Sequence, residues 1–131
     1  MSKREYVIDG NNFSTLEEFW DEIDDKLIPE AKGDWGRNLD AFNDILYGGF
    51  GTPDDGFILV WKNSDLSKER LGYDETVRQL EKRLQRCHPS NKAHVKMQLE
   101  RAKRDEGSTV FDWLLDIITD ENHSDIELRL E

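Results

Sequence analysis

Phe57-Ile58-Leu59-Val60-Trp61 is apolar at every position. A strand with one wet face alternates polar and apolar residues, so an unbroken run implies a strand covered on both faces, the middle of a sheet. The turn residues Pro53-Asp54-Asp55-Gly56 lead into it. Two further strand signals lie far from it in the chain. Tyr6-Val7-Ile8 is a short apolar run ended by the turn residues Asp9-Gly10-Asn11-Asn12. Ile126, Leu128 and Leu130 alternate with Glu127, Arg129 and Glu131, the period of a strand with one wetter face.

Between these strands the apolar period is helical. Ser14 stands three residues before Glu17, which predicts a capping box, and Leu16, Phe19, Trp20, Ile23 and Leu27 follow at helical spacing until Pro29. After a Lys32-Gly33-Asp34-Trp35-Gly36 loop, a second helix is expected from Asn38. Leu39, Phe42, Ile45 and Leu46 face inward, and Gly48-Gly49-Phe50-Gly51 is the stop. Past the central strand, Asn63 and Ser64 can cap a short helix through Leu71. Residues 73–86 and 91–104 read as a helical hairpin broken at His88-Pro89-Ser90. Gly107-Ser108 opens a last helix with Val110, Phe111, Leu114, Ile117 and Ile118 apolar. Helices that link consecutive strands imply parallel pairing with right-handed crossovers. The expected fold is a small α/β domain with three parallel strands in the order 1-2-3 and a helical hairpin that the sheet does not need.

A chain of 131 residues suits one core. The single cysteine, Cys87, excludes an internal disulfide, and no apolar run approaches the roughly 18 residues of a membrane span. The N-terminus lacks the apolar core of a signal peptide, so the chain reads as cytoplasmic. The net charge of −11 argues against a nucleic-acid groove, which needs clustered Lys and Arg, and favours a basic partner. That charge is unevenly spread: residues 68–104 carry 11 Lys/Arg against 5 Asp/Glu, while the remainder is strongly acidic.

Little in the sequence supports catalysis. Gly48-Gly49-Phe50-Gly51 lacks the Gly-Lys-Ser/Thr of a phosphate loop, and Cys87, His88 and His94 are too few and poorly spaced for a metal. No cofactor and no metal is expected, and the chain is not read as an enzyme. A magnesium site built from Asp34, Asp40, Asp44 and Asp116 is the weak alternative.

The informative segment is Trp35-Gly36-Arg37-Asn38-Leu39-Asp40-Ala41-Phe42-Asn43-Asp44-Ile45-Leu46. Asp40 and Asp44 stand four apart on the helix face opposite Leu39, Phe42 and Leu46, so both carboxylates project outward. Like charges at this spacing cost roughly 0.2–0.5 kcal/mol. Asp44 also lies toward the helix C-terminus, where the dipole opposes it. From spacing alone the pair is either a solvated face or a surface held for a partner.

This segment resembles the signature of the barstar family: an aromatic-Gly, then Asn-Leu-Asp-Ala-Leu/Phe, then an Asp four residues after the first. Trp35-Gly36, Asn38-Leu39-Asp40-Ala41-Phe42 and Asp44 match it in register. The resemblance covers residues 4–66 and 108–130 and leaves 68–107 as an insertion within one domain. It implies an inhibitor that fills the basic active site of a ribonuclease, one to one, with an acidic helix and the loop before it. It also implies no direct contact with nucleic acid or membrane and a free monomer. Asp40 and Asp44 carry over as mimics of RNA phosphates. Trp35, Gly36 and Asn38 carry over as the loop and helix start that pack on the enzyme, with Asp34, Asn43 and Tyr47 expected as partner contacts beside them and Asp116 as a peripheral acidic one. An immunity role against a ribonuclease toxin, or a basic partner that is not a nuclease, are the variants of that reading. The sequence departs from the family pattern where Asp34, Asn43 and Gly49 replace aromatics and Arg37 replaces an acid. The hairpin is open to three readings: a solvated, salt-bridged face, a second contact with the partner, or self-association through Val77, Leu80 and Leu84.

Overall fold

The computed structural model describes residues 3–29, 35–47, 52–53 and 55–131. Asp34 and the Gly48-Gly49-Phe50-Gly51 stretch lie outside them. Three strands, β1 (Glu5–Asp9), β2 (Ile58–Lys62) and β3 (Glu127–Leu130), form a parallel sheet in the order β1-β2-β3. Tyr6 pairs with Leu59 and Leu59 with Leu128; Ile8 pairs with Trp61 and Trp61 with Leu130. Laterally paired residues share a face, so these six point to one side.

That side is the aromatic core. Trp61 is fully buried, stacks on Phe19 at 5.4 Å and meets Phe111 edge-on at 5.3 Å. Its indole N–H would be costly to bury unpaired, and it donates to Ser67 Oγ at 2.9 Å. The opposite face holds Ile58 and Val60 with Val7, Glu127 and Arg129. Val60 is buried but stands outside the aromatic core, Val7 is 39% exposed, and Arg129 pairs with Glu127. The central strand is thus covered unequally, because the all-apolar run reports burial and not what supplies it.

Among the described residues six α-helices connect the strands. They are α1 (Leu16–Lys26), α2 (Leu39–Leu46), α3 (Ser64–Arg70), α4 (Tyr73–Arg86), α5 (Lys92–Lys103) and α6 (Val110–Ile118). Three starts differ from expectation. Thr15, not Ser14, caps α1 by accepting from Glu18 N–H, and Glu18 in turn accepts from Ser14 N–H and Oγ at 2.9 and 2.8 Å. The cap moves on by one residue, and Glu17 is left to face α4. Asn63 has the left-handed φ of 55° and makes no cap; its side-chain amide donates to Asp9 instead. For α6, Thr109 and Asp112 form the capping box, downstream of Gly107-Ser108.

The hairpin α4–α5 is fastened to the core at its base. Buried Glu75 accepts the N–H of Leu16 at 2.8 Å, and Thr76 Oγ1 accepts the N–H of Val110 at 2.9 Å. Two consecutive residues of α4 therefore satisfy the otherwise open N-termini of α1 and α6. Leu80, Leu99 and Ala102 form a small second core with Val77, Leu84 and Trp113 against it. The Val77, Leu80 and Leu84 stripe thus packs on the hairpin's own second arm, with Leu80 buried and Val77 and Leu84 half-buried.

Candidate functional site

α2 begins where the backbone is forced through two left-handed residues, Gly36 at φ 84° and Arg37 at φ 48°. Glycine takes this conformation without strain, and Arg37 is held in it by its ion pairs. Asn38 then caps the helix, its Oδ1 accepting from Ala41 N–H at 2.8 Å. Phe42, Ile45 and Leu46 are buried, and Phe42 meets the rings of Phe19 and Trp20, each at 5.6 Å. Asp40 and Asp44 are exposed on the other face, and no basic residue lies in the last turn to offset Asp44. Among the described residues no cation is drawn into an ion pair with either.

The nearest cation in sequence, Arg37, is turned away. Its guanidinium pairs with Asp21 and lies 3.6 Å from the Asp24 carboxylate, both on α1. Asp24 is buried and also accepts from the indole N–H of Trp35. Trp35 is only 3% exposed and packs edge-on against Trp20 at 5.3 Å. This corrects its expected role: its ring lies beneath the surface and fixes the entry to α2, so it cannot present itself to a partner. Gly36 and Asn38 remain at the surface. Asp24, which organises this corner, was missed by sequence reasoning. Its signal was position: it stands four residues after Trp20, at the edge of the inward stripe of α1.

At the other end of α2, Tyr47 is 51% exposed and its ring lies 4.4 Å from that of His123. His123 Nε2 and Asn43 Oδ1 are hydrogen-bonded at 2.6 Å. Burial lowers the pKa of His123, against the opposing pull of Asp120 and Asp125. Half-buried Asn43 is therefore committed to an internal bond. Asp116 is exposed on α6, which packs against α2. The structure thus gathers Asn38, Asp40, Asn43, Asp44 and Tyr47 on one helix, with Asp116 on its neighbour.

The first turn of α2 also borders a cleft of about 600 Å³. Asn38 and Asp40 line one side, with Trp20 at its edge, and Lys82, Arg83 and Arg86 of α4 line the other. α4 is held there by Glu17, which pairs with Arg78 and Lys82. Burial pushes the Glu17 carboxyl up, but Arg78 and Lys82 more than reverse this and hold it at about 2. Among the described residues no group of three His, Cys, Asp or Glu could hold a metal ion, and no helix is long and apolar enough to cross a membrane.

Comparison with known proteins bears on this helix directly. The family described as "Barstar (barnase inhibitor)" matches residues 4–100, a span that includes β1, α2, β2 and most of the hairpin. A Bacillus subtilis (strain 168) protein named "Putative ribonuclease inhibitor YrdF" is 40% identical over 70 residues, covering 53% of this chain and 70% of that relative. With a parallel three-stranded sheet, an exposed pair of aspartates in the signature segment, and a family match over most of its length, this chain belongs to the barstar family.

Proposed function

We propose that this protein inhibits a basic ribonuclease by laying α2 and the loop before it across the enzyme's phosphate-binding groove. The observation that carries the reading is the Asp40–Asp44 pair. Both carboxylates are exposed, one helical turn apart, and Arg37 is drawn back to Asp21 and Asp24 instead of neutralising them. A groove that holds successive phosphates offers cations at a comparable spacing, and each new carboxylate–cation contact is a charge-assisted hydrogen bond. Asn38 and Tyr47 flank the pair, and Asp116 adds charge from α6. The acidic body steers a basic partner, so association slows as salt rises. The complex is one to one, the free protein a monomer, and its place is the cytoplasm, where it protects RNA from an enzyme made in or entering the cell, such as a toxin.

Titrating the protein into RNA cleavage by a panel of small basic ribonucleases, barnase included, tests this. The expected result is loss of cleavage at one equivalent of protein with one or more of them. Asp44→Ala should weaken that complex by about 2–5 kcal/mol, the cost of stranding a buried charge at an interface, a range for which barstar complexes are themselves a reference case. At 1.4 kcal/mol per decade this is roughly thirty-fold to several-thousand-fold in Kd. Undiminished binding by the Asp40→Ala/Asp44→Ala double variant would refute the assignment. A second reading, a basic partner that is not a nuclease, is favoured by Asn43: it stands where the family pattern has an aromatic, and its bond to His123 takes it out of any anchor role. Stable capture of such a protein with no ribonuclease inhibited would decide for it.

A further inference from the structure

We infer that the cleft between α2 and α4 is a second contact with the same partner and receives an acidic segment from the rim of the ribonuclease's active site. The inference rests on the inhibitor reading and extends it to the hairpin.

The first ground is rigidity. Glu75 and Thr76 tie the base of α4 to the N-termini of α1 and α6, and Glu17 holds Lys82 one to two turns further along. The basic face of α4 therefore keeps a fixed place beside the acidic face of α2. The second ground is unneutralised charge of both signs across one opening. Lys82 is paired with Glu17, and the Arg83 guanidinium lies 5.3 Å over the ring of Trp113. Arg86 is exposed, lines the cleft and makes no ion pair with any described residue; Asp40, on the opposite wall, makes none either.

An occupant of such a cleft must place a cation toward Asp40 and an anion toward Arg86. A uniformly basic surface would meet repulsion from α4, and like charges juxtaposed across an interface suppress binding. The fitting partner carries carboxylate at the edge of its cationic groove. The hairpin then selects among ribonucleases: those with an acidic rim at that position bind, and those with a basic rim are excluded.

The test exploits opposite signs. Arg86→Glu makes the whole protein two charges more acidic, which by long-range steering alone would speed association with a basic nuclease. A local acidic contact predicts the reverse: association about threefold to tenfold slower at low salt. Lys96→Glu, an exposed site on the far arm α5, changes the net charge identically and serves as the comparison. With a ribonuclease that the wild-type protein inhibits, stopped-flow association should be slower for Arg86→Glu and unchanged or faster for Lys96→Glu. Arg86→Gln should be slowed less, in the same direction, and circular dichroism checks that each variant is folded. Equal shifts for Arg86→Glu and Lys96→Glu would overturn the inference. If Asp44→Ala still weakens the complex in that case, the inhibitor reading stands without it. If no ribonuclease is bound by the wild type, both fall.

Discussion

Asp44→Asn should stabilise the free protein. The substitution removes charge while keeping shape and nearly the same helix propensity. Two unfavourable terms disappear. Asp40 and Asp44 are like charges at i and i+4 on an exposed face, worth roughly 0.2–0.5 kcal/mol. Asp44 also stands near the end of the eight-residue helix Leu39–Leu46, where open carbonyls carry partial negative charge and no basic residue lies in the last turn. That term is roughly 0.3–1 kcal/mol for an exposed group at low ionic strength. Together they give about 0.5–1.5 kcal/mol. For a chain of this size about 1 kcal/mol moves the melting temperature by some 3–5 °C, so a rise of roughly 2–6 °C is expected. Both terms are screened, and the gain should shrink toward zero near 1 M salt, where the Debye length is about 3 Å. Calorimetric or circular-dichroism melts of wild type and variant at 20 mM and 1 M salt would measure it. A melting temperature that is unchanged or lower at low salt would show that Asp44 meets compensating positive potential, and the claim that its charge is kept for a partner would lose its physical basis.

Two further outcomes follow from buried groups. Glu75→Ala strands the Leu16 N–H and leaves Arg78 with Glu17 as its one carboxylate partner among the described residues, and should destabilise the fold by about 1–3 kcal/mol in urea unfolding while leaving the α2 face intact. Stability should also depend on His123: its folded pKa lies below the ordinary value of 6.5, so the unfolded chain takes up a proton first. The contribution of neutral His123 is therefore complete above pH 6.5 and is lost as pH falls through the lowered pKa. Melts from pH 8 to pH 5 should show this loss, and His123→Gln should flatten the profile in that window.

The parts of this fold that were legible in the sequence are those decided by local spacing. The unbroken apolar run of β2, the Asn38 cap ahead of the Leu39–Leu46 stripe, and the two hairpin arms on either side of His88-Pro89 each report on their own neighbours. The illegible parts are contacts between distant residues. Nothing near Trp35 shows that its indole will be taken by Asp24 on α1, and the Asn43–His123 bond joins residues 80 positions apart. The shift of the α1 cap from Ser14 to Thr15 has the same origin. Both residues cap well in isolation, and the choice falls with Glu17 and Glu75, whose partners lie across the α1–α4 contact. The aspartate pair itself was readable because it violates local preference: a helix selected only for stability would carry a cation at one of the two positions.

The parallel sheet has a consequence for the order in which the molecule assembles. Glu5 must find Ile58, and Ile58 must find Glu127, before the sheet is complete, whereas α4 and α5 are joined by only a short turn. Long-range closure is slow and local helix pairing is fast. A chain caught early in folding would therefore have its basic arm formed while the segment around Asp40 and Asp44 still lacked the Phe19 and Trp20 rings that seat it. Hydrogen exchange during refolding should protect the hairpin amides first and those of α2 together with the sheet.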